Sequence, residues 1–188
     1  MRAKDAFVGS AHCILPDFCY NGSMEERLEK LRGFAPVADE SCRVLILGTA
    51  PSVQSLREGF YYAHPRNAFW RLLSDTFGAP VPETAGEKAA LLLENRLALW
   101  DVLCACARRG SLDSAIRDPQ VNDFAAFFAA HPGITRVLFN GAAAEKLFFR
   151  FCGETLQGRA AARLPSTSPA CTLPYARKLE LWRKELLR

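Results

Sequence analysis

The sequence predicts an α/β fold: a three-layer α/β/α sandwich around a short, mostly parallel sheet of four strands. Three observations carry that expectation. Continuous apolar runs of four or five residues stop abruptly at Gly, Asp or Asn, as strands buried on both faces of a parallel sheet do. Those runs alternate with stretches of helical period, the pattern of strand–helix–strand units. The chain of 188 residues is 49% hydrophobic and 23% charged, which suits one folded domain with its own core.

Taken in order, the first residues show little pattern. A short charged helix is expected from Met24 to Leu31, before the break at Gly33-Phe34-Ala35-Pro36. Residues 1–32 therefore read as an N-terminal extension with a short helix, and 33–188 as a single domain. Arg43-Val44-Leu45-Ile46-Leu47 is the first buried strand, stopped by Gly48. Asn67 to Phe77 is helical, with Phe69, Trp70, Leu73 and Phe77 on one face and Gly78 as the stop. Glu83 to Arg96, rich in Ala and Leu, is a second helix.

Leu97-Ala98-Leu99-Trp100 forms the next strand and ends at Asp101. Phe124, Phe127 and Phe128 mark a helix that stops near His131-Pro132-Gly133. Arg136-Val137-Leu138-Phe139 is a third strand, ending at Asn140-Gly141 and feeding a helix through Phe149. A fourth lies near Ala160 to Leu164, before Pro165. The closing helix places Tyr175, Leu179, Trp182 and Leu186 on one face and Arg177, Lys178, Arg183 and Lys184 elsewhere.

Composition excludes several classes of function. No apolar run approaches the roughly 18–20 residues that span a bilayer, and the N-terminus lacks the pattern of a secretory signal. The seven cysteines (13, 19, 42, 104, 106, 152 and 171) are odd in number and contain no C-x-x-C pair. They read as reduced, mostly buried thiols of a cytoplasmic protein rather than a disulfide framework, zinc site or iron–sulfur site. Three separated histidines, His12, His64 and His131, also argue against a metal. The net charge of +4 is unevenly placed: residues 1–100 carry 11 basic and 12 acidic side chains, and residues 101–188 carry 13 and 8. Such asymmetry hints at a polyanion-facing end.

Sites in parallel α/β sheets form at the carboxyl ends of the strands. That points to Gly48 to Ser52, Trp100 to Val102, Asn140-Gly141, and Leu164 to Ala170. Gly48-Thr49-Ala50-Pro51-Ser52 has neither the second glycine of a dinucleotide loop nor the Lys of a phosphate loop. From these residues alone it is a tight strand exit.

The more specific string is Tyr61-Tyr62-Ala63-His64-Pro65-Arg66-Asn67-Ala68-Phe69-Trp70. Together with Gly48-Thr49-Ala50-Pro51-Ser52 and Leu164-Pro165-Ser166-Thr167-Ser168-Pro169-Ala170, it resembles the motifs of the uracil-DNA glycosylase superfamily. The combination is most similar to the hypoxanthine-DNA glycosylase branch, over the chain from about Gly33 onward.

The resemblance implies a monomeric, monofunctional glycosylase acting on DNA that contains a deaminated base, with no cofactor, metal or membrane. It implies that Tyr62 stacks on the flipped base and that Gly48, Thr49, Ala50, Asp101 and Asn140 surround it. Ser52, His64, Arg66, Ser166, Thr167 and Ser168 would meet the DNA, where hydroxyls, backbone N–H groups and cations suit phosphates.

The chain departs from the superfamily at Ala50, where the usual water-activating Asp or Asn stands. The resemblance passes that role to Asn67, whose amide oxygen can hold a water although it is no general base. Read as a residue alone, Asn67 is an N-cap for the helix that follows. Asp101 stands where family members often carry a base-reading Asn. As a carboxylate it would accept from the N1–H of hypoxanthine, a proton adenine lacks. Its alternative is an N-cap or a surface ion pair. Uracil or mismatch excision, and a catalytically silent nucleic-acid-binding domain, are the competing readings.

Overall fold

The computed structural model describes residues 29–188. Its centre is a four-stranded, all-parallel sheet formed by β2 (Val44–Gly48), β3 (Leu97–Asp101), β6 (Arg136–Asn140) and β7 (Ala160–Leu164). The strands lie in the order β3–β2–β6–β7. Every residue of β2 and β3 is buried, which is why both read as unbroken apolar runs. Pairing is in register across the sheet, with Leu47 beside Trp100 and Phe139, so all four strands stop at one edge.

Helices cover both faces, as the alternation of strands and helices predicts. On one side α2 (Phe69–Phe77) packs on α3 (Ala85–Glu94) and α6 (Tyr175–Leu186), with Phe69 edge-on to Trp182 at 6.0 Å. On the other, α4 (Phe124–Ala130) meets α5 (Ala142–Phe151) through Phe124 and Phe148, 5.0 Å apart. Helix α3 opens with a capping box in which Thr84 and Glu87 satisfy each other's backbone N–H. Among the described residues no helix is long and apolar enough to cross a membrane, and Cys42, Cys104, Cys106, Cys152 and Cys171 are free thiols.

Two features differ from expectation. The helix expected from Met24 to Leu31 is corrected over the residues described: Glu29–Arg32 is strand β1, paired antiparallel with β4 (Leu103–Arg108). The short charged helix expected there is overridden by backbone pairing and by burial of Leu31. Met24 to Leu28 lie outside the described residues, as do Cys13, Cys19 and His12.

The second feature is a three-stranded antiparallel sheet in which β5 (Arg117–Val121) completes the order β1–β4–β5. The chain turns at Val102 directly from β3 into β4, with the Val102 N–H donating to Gly48 O at 2.9 Å and Leu103 N–H to Thr49 O at 3.1 Å. The small sheet is therefore fastened to the exit of β2. Strand β5 carries Pro119, tolerated because it lies at an edge, and pairing with β4 shifts register on either side of Ala105.

Candidate active site

The carboxyl edge of the parallel sheet opens into a cavity of about 350 Å³, within the range of small-molecule sites. It is lined by the loop after β2, the His-Pro segment, the end of β3, the turn after β4, and the Pro-Ser loop after β7. Of the residues singled out in the sequence, Gly48, Thr49, Ala50, Ser52, Tyr62, His64, Asn67, Asp101, Asn140, Ser166, Thr167 and Ser168 all line it. Arg66 does not; it is exposed on the His-Pro segment.

The floor is set by Gly48. A Cβ there would come within 2.3 Å of Asp101 Oδ1 and 2.7 Å of the Tyr62 hydroxyl, so only glycine fits beneath these two groups. Both side chains bring a polar atom into the protein without a hydrogen-bond partner: Tyr62 Oη and Asp101 Oδ2 are buried and unsatisfied. Unpartnered buried polar atoms are uncommon and costly. Asp101 is 2% exposed, and it is neither an N-cap nor a surface ion pair. Burial pushes its carboxyl up to about 7; Asp113 adds to the rise and Arg108 opposes it. Burial likewise raises the Tyr62 phenol; Asp101 reinforces that rise and the nearby Asn140 amide opposes it.

Tyr62 adopts a left-handed backbone with φ of 52°, a conformation that costs a bulky residue about 1–3 kcal/mol. Its ring stacks on buried Phe69 with centroids 4.1 Å apart and planes 28° from parallel. Phe69 thus covers one face of a ring that lines the cavity.

The walls are held by polar groups bonded to one another and to the backbone. Asn140 accepts from the Thr167 N–H and donates to Thr167 Oγ1, each at 2.9 Å, so this buried pair locks the end of β6 to the Pro-Ser loop. Thr167 is 1% exposed, which leaves Ser166 and Ser168 as the more accessible hydroxyls of that loop. Gly141, at φ 101°, admits the loop closely, since a Cβ would lie 3.0 Å from Ser166 Cβ. The Ala68 N–H donates to Thr167 O, Trp182 Nε1–H to Pro165 O and Lys178 Nζ to Cys171 O. Ser52 caps α1 (Val53–Glu58) by accepting from Ser55 N–H, and Ser55 Oγ accepts from Ala63 N–H at 3.2 Å. His64 Nδ1 accepts from Arg66 N–H at 3.1 Å, a turn-making role for that ring nitrogen.

Asn67 stands one residue before the cap position of α2, which is Ala68. Its Oδ1 accepts from Phe69 N–H at 3.0 Å, so it engages the helix start while lining the cavity. That bond fixes the amide plane and uses one of the two lone pairs on its oxygen.

Sequence reasoning missed Arg108 and Asp113. Arg108 is 2% exposed; it donates to the Pro51 carbonyl and lies 3.6 Å from Asp113 Oδ1. Asp113 also accepts from Thr49 Oγ1 at 3.2 Å and lines the cavity. The available signal was a lone arginine ending the otherwise apolar run Leu103 to Ala107. Among the described residues no group of three His, Cys, Asp or Glu converges to hold a metal.

The sequence profile of the Uracil DNA glycosylase superfamily matches residues 35–187. The chain belongs to that superfamily. Within it, the similarity runs to the hypoxanthine-DNA glycosylase branch. The Hypoxanthine DNA glycosylase of Methanosarcina acetivorans is 43% identical over 111 residues, 58% of this chain and 70% of that protein. The protein of the same name from Methanosarcina barkeri is 40% identical over 113 residues, 60% of this chain and 72% of its own. The solution NMR structure of a candidate uracil DNA glycosylase from M. acetivorans superposes with a TM-score of 0.73 at 34% identity. The match covers 85% of this chain and 100% of that one.

Proposed function

We propose that this chain is a monofunctional DNA glycosylase that hydrolyses the N-glycosidic bond of deoxyinosine in DNA, releasing hypoxanthine and leaving an abasic site. The observation that carries the reading is a cavity with a stacking ring, an unpartnered polar floor and a fixed amide, but no carboxylate at position 50. Similarity to two hypoxanthine DNA glycosylases supports the choice of base.

An enzyme acting on a base must first take it out of the stack. The flipped purine would lie on the open face of Tyr62, where stacking contributes roughly 1–3 kcal/mol. Asp101, when ionised, accepts from the N1–H of hypoxanthine; adenine presents only a lone pair there and is repelled. The free lone pair of Asn67 Oδ1 holds a water in line with C1′. The bond to the sugar loosens through an oxocarbenium-like state, as in glycoside hydrolysis, and the departing purine is stabilised by hydrogen bonds. Among the described residues no lysine lines the cavity, so the side chains supply hydrolysis rather than Schiff-base chemistry. Ser166, Ser168 and Arg66 would hold the flanking phosphates.

The test is excision from end-labelled duplexes containing inosine, uracil or xanthine, each followed by alkali. Cleavage of the inosine duplex above the others is the expected result. Preferred cleavage of uracil, or binding without any cleavage, would replace this reading with the uracil or silent-domain one.

A further inference from the structure

Two carboxylates of the cavity share one buried cation. Asp101 and Arg108 are each 2% exposed, and Asp113 lines the cavity against the Arg108 guanidinium. A charge taken out of water is costly unless it finds an opposite charge or hydrogen bonds. One guanidinium cannot serve both carboxylates equally.

The geometry gives the cation to Asp113. Arg108 Nη1 lies 3.6 Å from Asp113 Oδ1, and Thr49 Oγ1 donates to Asp113 Oδ2 at 3.2 Å. Arg108 Nη2 donates to the Pro51 carbonyl. Arg108 Nε and Asp101 Oδ2 are both buried without a partner, so this donor and this acceptor do not meet. The other titratable groups that interact with Asp101 are Tyr61, Tyr62 and Cys106. Burial pushes all three up, which leaves them uncharged at neutral pH. Beyond burial itself, Asp113 and Arg108 are then the charges that act on Asp101, and they act in opposite directions.

We infer that Asp113 is a positioning residue for base choice: by holding the Arg108 guanidinium it withholds that cation from Asp101, and so governs whether the floor presents an acceptor or a donor to the base edge. The inference rests on the glycosylase reading of the cavity, with Asp101 facing purine N1. Asp113 acts through Arg108 and has no need to touch the base. An ionised Asp101 accepts from hypoxanthine N1–H, and a protonated one can donate to adenine N1. Asp113 sets the pH at which one state gives way to the other.

The test follows two midpoints against pH: the rise in inosine-over-adenosine preference in single-turnover excision, and the NMR shift of the Asp101 carboxyl carbon in the free protein. Asp113→Asn keeps an acceptor for Thr49 but no charge, and both midpoints should move about one unit toward acid as Arg108 is released to Asp101. Asp113→Glu, which keeps the charge, should restore the parent values. Arg108→Gln should move both midpoints about one unit toward alkali. A pair that only braces the turn would lower stability in both variants without moving the midpoints in opposite directions. Midpoints of Asp113→Asn within about 0.3 unit of the parent, or moved toward alkali, overturn the inference. Should Arg108→Gln fail to fold, the comparison of Asp113→Asn with Asp113→Glu is decisive alone. A parent protein that excises nothing from inosine, uracil or xanthine duplexes overturns the glycosylase reading and base choice with it, whereas an unmoved carboxyl midpoint in Asp113→Asn overturns only the role of Asp113.

Discussion

The wall and the floor of the same cavity are built on opposite rules. In the wall, the polar side chains that span elements bond to each other, Asn140 with Thr167 and Asp113 with Thr49 and Arg108, although Arg108 Nε is itself buried without a partner. On the floor, Tyr62 Oη and Asp101 Oδ2 are equally buried and have no hydrogen-bond partner. Folding tolerates the second arrangement only at a cost. The contrast separates the groups that hold the site together from those left for something that enters it. It makes a division testable: changes in the wall, the Arg108–Asp113 pair apart, should be read in stability at any pH, changes on the floor in chemistry and in how stability depends on pH.

The largest effect is expected at Asn67, which bonds to the helix start and lines the cavity. Asn67→Ala should lower single-turnover excision of hypoxanthine by about a thousandfold while DNA affinity stays near that of the parent, since water positioning and not binding is removed. Its lost bond to Phe69 N–H should cost only about 1 kcal/mol in denaturant unfolding.

Next comes the wall. Asn140→Ala leaves the buried Thr167 N–H and hydroxyl without their partner, so unfolding free energy should drop by about 2–3 kcal/mol. Tyr62→Phe is its counterpart on the floor. Removing an unpartnered hydroxyl should leave stability within about 0.5 kcal/mol of the parent or raise it, while base preference in excision shifts. If both variants changed stability alike, the division between wall and floor would be lost.

The pH dependence of stability sharpens the same comparison. Burial raises Asp101 from 3.8 to about 7, so the folded protein holds a proton that the unfolded chain releases. The stability linked to Asp101 is fully present below its unfolded value and is lost as pH rises through about 7. Asp101→Asn should therefore lose less stability than the parent between about pH 5 and 8, by at most on the order of 3 kcal/mol. The smallest effect is expected at exposed Arg66, where Arg66→Ala should weaken binding a few-fold and reduce the salt slope by about one.

Much of this architecture could be read from the sequence because buried parallel strands write themselves as apolar runs. Val44 to Leu47, Leu97 to Trp100 and Arg136 to Phe139 stand out in that way, and the Gly, Asp and Asn that end them mark the cavity. The second sheet was hidden for physical reasons. Strand β4 is built of Cys and Ala rather than branched or aromatic residues, and β5 contains a proline. With that sheet went the Arg108–Asp113 pair. The Asn140–Thr167 lock joins residues 27 apart in sequence, which no local pattern reports. Asn67 and Asp101 were legible as chemistry, but only the fold shows one fixed at a helix start and the other buried without a partner for one oxygen.

The central claim, that the unpartnered floor reads the base, is tested most directly by the inosine-over-adenosine preference in single-turnover excision, measured against pH for the parent and Asp101→Asn. An ionised Asp101 accepts from hypoxanthine N1–H and repels the lone pair of adenine N1, whereas a protonated one can donate to adenine. The preference of the parent should therefore rise as pH passes through about 7, where Asp101 ionises, and the variant should show a lower, flat preference. A parent profile that is flat across that range, or a variant that keeps both the preference and its rise, would contradict the account.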